Sequence, residues 1–228
     1  MKPWQRLELL YGSQVVQKIK EQHVLIAGLG GVGSYSAEAL ARAFVGKLTL
    51  IDFDRYDITN LNRQLYATHH TVGQLKVDVV KEGLLAINPD LHISTFSDKV
   101  STETLPLFFK NPINYVVDAI DDIEGKVALI AYCHQHHIPI ISAMGTGFRK
   151  NPQGFRIIDI YETSYCPLAK KLRKALKDKG ISYHPVVFST ETPSKRIPGE
   201  SIGSNSFVPA SAGLLLASYV IDHIEKGK

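Results

Sequence analysis

The chain has 228 residues, of which 44% are hydrophobic and 21% charged. A composition this close to the globular average excludes wholesale disorder, and the length suits one domain with an added arm or lobe. The net charge of +4 conceals a split: residues 1–148 hold 13 Lys+Arg against 15 Asp+Glu, whereas residues 149–200 hold 11 against 5.

Residues 1–20 read as a helical arm, with Leu7, Leu10, Tyr11, Val15, Val16 and Ile19 at roughly helical spacing. A short apolar strand at 23–27 runs into Gly28-Leu29-Gly30-Gly31-Val32-Gly33, followed by a helix over about 34–44. A second strand at 47–51 ends on Asp52. Further on come a helix at 77–87, a strand at 92–96, a buried-type strand at 115–119, a helix at 126–136 and a strand at 138–142. Strands alternating with helices predict an α/β fold, a doubly wound and mostly parallel sheet covered on both faces. From residue 149 the rhythm breaks. A strand at 155–160, a basic helix near 168–179, a strand at 185–189, a Pro/Gly/Ser-rich loop at 192–206 and an apolar stretch at 207–221 follow. That last stretch, at 15 residues, falls short of the ~20 needed to span a bilayer and reads as a buried core helix. The expected organisation is a helical arm and nucleotide-binding core over 1–148, with a basic substrate-side lobe over 149–228 packed on the same core.

Gly28-x-Gly30-x-x-Gly33 after a strand and before a helix lets phosphate approach backbone amides at the positive helix end. Asp52, at the end of the second strand, is placed to accept hydrogen bonds from a ribose. This pair fits a dinucleotide oxidoreductase as well as an ATP user. Arg63 and Lys76 favour the second. Cleavage of a triphosphate builds charge on the leaving pyrophosphate, which cations neutralise. Val117-Asp118-Ala119-Ile120-Asp121-Asp122 ends the strand at 115–119 with three carboxylates, and a carboxylate at a strand's carboxyl end is a natural Mg²⁺ holder.

Gly28-Leu29-Gly30-Gly31-Val32-Gly33, Asp52-Phe53-Asp54, Asn60-x-x-Arg63-Gln64, Val72-Gly73-x-x-Lys76 and Asp118-x-x-Asp121 together resemble the ubiquitin-activating-like adenylating enzymes of the ThiF/MoeB superfamily, over roughly residues 1–145. The resemblance implies an ATP site formed by Gly28, Gly30, Gly31, Gly33, Asp52, Asp54, Asn60, Arg63, Gln64 and Lys76, with Asp52 on the ribose. Asn60, Arg63 and Lys76 would act around the phosphates, and Asp121 would hold Mg²⁺. It also implies a homodimer in which Arg6 of the arm reaches the other subunit's ATP site.

The segments 142–147, 159–161, 167–174, 187–191 and 203–209 are similar to the tRNA threonylcarbamoyladenosine dehydratase branch of that superfamily, which extends the resemblance to nearly the whole chain. It implies ATP-dependent activation of a threonyl carboxylate on tRNA. The basic helix supports a polyanionic substrate independently. Leu168, Leu172 and Leu176 share one face, and Lys170, Arg173, Lys174 and Lys177 point largely away from it. With Arg149 and Lys171 these are the candidate tRNA contacts. The pattern departs from the branch at Cys166, where an Asp is usual before Pro-Leu-Ala, and at Gly147-Phe148-Arg149-Lys150-Asn151-Pro152, where only Arg149 keeps the usual positive charge.

Three alternatives remain beside this reading: adenylation of the C-terminal glycine of a ubiquitin-like sulfur carrier, an NAD-dependent oxidoreductase, and a catalytically silent nucleotide-binding scaffold. The first is disfavoured by the basic 149–200 segment and by having two cysteines, too few for the paired Cys-x-x-Cys zinc site of that branch. No zinc is expected, and a structural monovalent cation and a sulfur-delivery partner are left open. Cys133 reads as a small buried hydrophobe and Cys166 as structural. His134-Gln135-His136-His137 suits a helix C-terminus better than a metal. The start, Met1-Lys2-Pro3-Trp4, carries no apolar secretory segment, so a reducing, cytoplasmic setting away from the membrane is the expectation.

Overall fold

A computed structural model describes residues 2–195, 199 and 201–227. It is organised on one sheet of seven strands: β1 (His23–Ala27), β2 (Lys47–Ile51), β3 (His92–Phe96), β4 (Tyr115–Asp118), β5 (Ile140–Ala143), β6 (Phe155–Asp159) and β7 (Pro185–Ser189). Their order is β3-β2-β1-β4-β5-β7-β6, parallel throughout except for β6, which pairs antiparallel with β7.

Eight α-helices surround this sheet among the described residues: α1 (Gln5–Tyr11), α2 (Ser13–Glu21), α3 (Gly33–Arg42), α4 (Lys76–Ile87), α5 (Leu105–Phe108), α6 (Ile123–Gln135), α7 (Pro167–Asp178) and α8 (Phe207–Lys226). Successive strand residues point to opposite faces, and both faces are apolar. Val24 and Ile26 of β1 pack with α2, α3, α4 and α8 on one side. Leu25 and Ala27 pack with α5, α6 and α7 on the other.

The N-terminal arm is two helices, broken at Gly12, whose φ of 82° no continuing helix can adopt. α8 is longer than its sequence suggested. It runs 20 residues, long and apolar enough to cross a membrane. Val208, Ala212, Leu216, Val220 and Ile224 continue one buried stripe past the polar Asp222 and His223, and this stripe packs on α3 and the sheet. Gly213 lets the two helices touch, since a Cβ there would press on the Val32 carbonyl at the start of α3. The residues after 148 therefore extend the same sheet through β7 and β6 and cover both of its faces. The loop expected over 192–206 carries no regular element at 192–195 or 201–205, while 196–198 and 200 lie outside the described residues.

Candidate active site

The chain leaves β1 toward β2 and β3, then returns to place β4 on the other side of β1. Such a reversal opens a crevice at the carboxyl ends of the strands. A cleft of about 690 Å³ lies there, in the size range of a small-molecule site. Gly28, Gly30, Gly31, Asp52, Asp54, Asn60, Arg63, Gln64, Lys76 and Asp121 all line it.

The glycine turn is built by close approach. Gly28 has φ 87°, and a Cβ there would lie 2.7 Å from the Ala119 carbonyl oxygen. Gly33 does not line the cleft: it is buried at the first turn of α3, packed on the Gly28 carbonyl. Asp52 is anchored beneath the turn. Its Oδ2 accepts from the Leu29 amide at 2.6 Å and its Oδ1 from the Asp54 amide at 2.9 Å. Burial pushes its carboxyl above the usual range, opposed by the nearby Lys76 ammonium and the two amides. Lys76, itself buried, donates to Asp54 Oδ2 at 2.8 Å and sits 3.7 Å from Asp52 Oδ1.

The segment between β2 and α4 folds back as a ledge. Asp57 caps a single 3₁₀ turn, Ile58–Asn60, and the Asn60 side-chain carbonyl accepts from the Asp57 amide. Arg63 donates to the Thr59 carbonyl at 2.9 Å and to Asn62 Oδ1 at 3.0 Å, with its stem against Gly31. Gln64 is buried, and its Oε1 has no hydrogen-bond partner among the described residues. A buried acceptor facing a cleft is what a donor-bearing ligand would satisfy.

The three carboxylates at the carboxyl end of β4 divide. Asp121 is exposed in the cleft, and Asp122 caps α6 by accepting from the Gly125 amide at 2.8 Å. Asp118 is fully buried and paired with Lys126, so it is not free to hold an ion in the cleft. Asp98 and Lys99 also line the cleft, with Lys99 3.7 Å from Asp122. Sequence reading passed over them. Their signal was position, directly beyond a parallel strand's carboxyl end.

Gly145, Thr146, Gly147, Leu168, Ile202, Ser204 and Pro209 also line the cleft. Leu168 belongs to α7, so the basic helix borders the cleft. Lys170, Lys171, Lys174 and Lys177 are exposed on it, while Leu172 and Leu176 are buried. One expected tRNA contact is corrected by its surroundings, and another is partly engaged by the protein itself. Arg149 is only 3% exposed, with its Nε on the Gly145 carbonyl and its guanidinium over Phe188, so it braces a loop. Arg173 is half-buried and donates to Thr163. Cys166 caps α7, its buried sulfur accepting from the Ala169 amide, and Cys133 is fully buried. His136 is the C-cap of α6. Arg6 lies exposed on α1 and does not line the cleft of its own chain.

A glycine turn, a buried acid, basic side chains and an exposed carboxylate around one crevice mark a nucleotide-binding α/β protein. The family model described as the ThiF family matches residues 5–226, and the chain belongs to that family. The tRNA threonylcarbamoyladenosine dehydratase of Bacillus subtilis is 39% identical, over 95% of this chain and 92% of its own length. Two crystal structures of the Escherichia coli tRNA N6-threonylcarbamoyladenosine dehydratase, each 34% identical, superpose closely. The complex with AMP gives a TM-score of 0.91 over 96% of this chain and 92% of that one. The complex with ATP gives 0.93 over 99% and 94%.

Proposed function

We propose that this protein is an ATP-dependent tRNA threonylcarbamoyladenosine dehydratase. The observation that carries it is that the basic helix α7 borders, through Leu168, the same cleft that Asp52, Arg63, Lys76 and Asp121 line. Relatives sharing more than a third of their residues over nearly the whole chain bear the same activity in their names.

In this reading the threonyl carboxylate of the modified adenosine attacks the α-phosphate of ATP, and pyrophosphate leaves. The neighbouring carbamoyl group then closes onto the activated carbon and AMP departs, so the nucleoside has lost one water. The nucleophile belongs to the substrate, and holding both reacting groups on one nucleoside supplies the proximity advantage. Asp52 receives the ribose. Arg63 and Lys76 neutralise the phosphates, with Lys76 released in part from Asp54 as phosphate oxygens compete for its three protons. The exposed carboxylate of Asp121 fits Mg²⁺, which favours one or two carboxylates completed by phosphate oxygens; held there, the ion would supply positive charge against the phosphates. Lys170, Lys171, Lys174 and Lys177 take the tRNA backbone. Leu9 and Leu10 are exposed on α1 beside Arg6, which supports an arm that packs on a second copy and lends Arg6 to its cleft.

The test is incubation with ATP, Mg²⁺ and tRNA bearing threonylcarbamoyladenosine, followed by mass spectrometry of the nucleosides. Loss of one water with stoichiometric AMP supports the reading. AMP formation with a different acceptor and an unchanged nucleoside would refute it.

A further inference from the structure

Beneath the cleft runs a buried polar network that the steps above do not use. The Lys126 ammonium, fully buried, donates to Asp118 Oδ2 at 2.7 Å and to the Ala143 carbonyl at 3.2 Å. Ser142 Oγ donates to the same Asp118 oxygen at 2.6 Å, and Asp118 Oδ1 accepts from the Ile120 amide at 3.1 Å. His184 Nε2 lies 2.7 Å from Ser142 Oγ. The hydroxyl has one proton and gives it to Asp118, so the imidazole donates to the hydroxyl. Serine thus sits between acid and histidine, fully buried, which is the wrong order and place for a nucleophile.

What the network does follow from its endpoints. Asp118 is the last residue of β4 and Ala143 the last of β5. The chain beyond each, 119–122 and 145–147, forms a lip of the cleft. Lys126 holds both strand ends at once, and Ser142 of β5 adds a second tie to Asp118. Asp121 then hangs between two fixed points: the Ile120 amide on Asp118, and the Asp122 cap on Gly125. We infer that Lys126, through Asp118, is a positioning residue that fixes Asp121 where the nucleotide's magnesium is held. This rests on the adenylation reading for the metal's role.

A buried ion pair often adds little net stability, and removing both charges together is commonly tolerated, whereas removing one strands the other. That separates positioning from mere support. In the double variant Lys126→Met/Asp118→Asn the denaturation midpoint stays close to wild type. Calorimetric ATP affinity without metal is unchanged, and its enhancement by Mg²⁺ falls about tenfold, the usual cost of losing a group that orients a metal ligand. Introducing the double variant into Asp121→Ala produces no further loss, because the pair acts through that carboxylate. Wild-type magnesium enhancement in a folded double variant overturns the inference. If the double variant does not fold, Ser142→Ala decides it. Removing one donor to Asp118 lowers the enhancement severalfold, and an unchanged value overturns the inference. Wild-type protein whose ATP affinity ignores Mg²⁺ also overturns it. Wild-type protein that binds ATP with Mg²⁺ but leaves the tRNA nucleoside intact refutes the dehydratase reading alone.

Discussion

Gly28→Ala tests whether the cleft depends on the contact between two strand ends. The substitution adds one methyl group in a backbone conformation of φ 87°, 2.7 Å from the Ala119 carbonyl oxygen and 2.9 Å from its carbon. An L-residue in the left-handed region costs about 1–2 kcal/mol. Overpacking against backbone, which cannot rotate away, costs about 1–3 kcal/mol more. The sum is about 2–5 kcal/mol. Gly180→Ala is the matched control. Its φ is 73°, and a Cβ there meets nothing within 4 Å, so it carries the first cost without the second. Urea denaturation at unchanged slope should therefore place the Gly28 variant about 1–3 kcal/mol below the Gly180 variant. Ala119 begins the segment that carries Asp121, so the Gly28 variant should also bind ATP at least ~10-fold more weakly, as small displacements of positioned groups do. The Gly180 variant should bind as wild type does. Equal losses of stability in the two variants, with equal ATP affinity, would refute the close-approach argument.

Asp121→Ala should abolish Mg²⁺-dependent AMP formation, measured by release of pyrophosphate. Changing Lys170, Lys174 and Lys177 together to Glu should weaken tRNA binding and flatten its dependence on salt, with ATP affinity unchanged; filter binding across several salt concentrations checks both. Leu216→Ala should cost about 2–5 kcal/mol by denaturation, because that side chain is fully buried where α8 meets the core. Acid should destabilise the fold through His184, whose imidazole burial pushes down to about 3, with the His134 ring and the Lys126 ammonium adding to the shift. Above the ordinary value of about 6.5 the ring is neutral folded and unfolded, and its contribution is complete. Between about 6.5 and 3 only the unfolded chain takes the proton, so stability falls by up to about 1.4 kcal/mol per pH unit. His184→Gln should reduce that slope, and a wild-type midpoint unchanged from pH 7 to pH 5 would count against it.

The sheet was legible because its strands are short apolar runs bounded by turns, and the helices between them carry one apolar face each. Where the expected elements and the observed ones differ, the cause is contact distant in sequence. The stripe of α8 continues through Ile224 because α3 and the sheet cover it, although Asp222 and His223 look locally like an end. The antiparallel pairing of β6 with β7 joins segments separated by the whole of α7, and nothing within either strand announces its direction.

The site divides along the same line. Gly28, Asp52, Lys76 and Asp121 were readable because each lies within a few residues of a strand end or helix start, where local sequence determines which way the chain faces, and Arg63 because its spacing from Asn60 and Lys76 forms a motif. Charged residues whose setting depends on a remote neighbour were not. Arg149 looked like a surface cation in a loop, yet Gly145, Phe188 and the side chain of Asn205 enclose it. Lys126 looked like an ordinary residue of a helix and proved to be the fully buried partner of Asp118. Both sit on the far side of residues that line the cleft. A ligand-facing group shows itself by chemistry that a local motif can hold. The group behind it shows itself only once the fold has brought two strand ends together, as β4, β5 and α6 do around the carboxylate of Asp118.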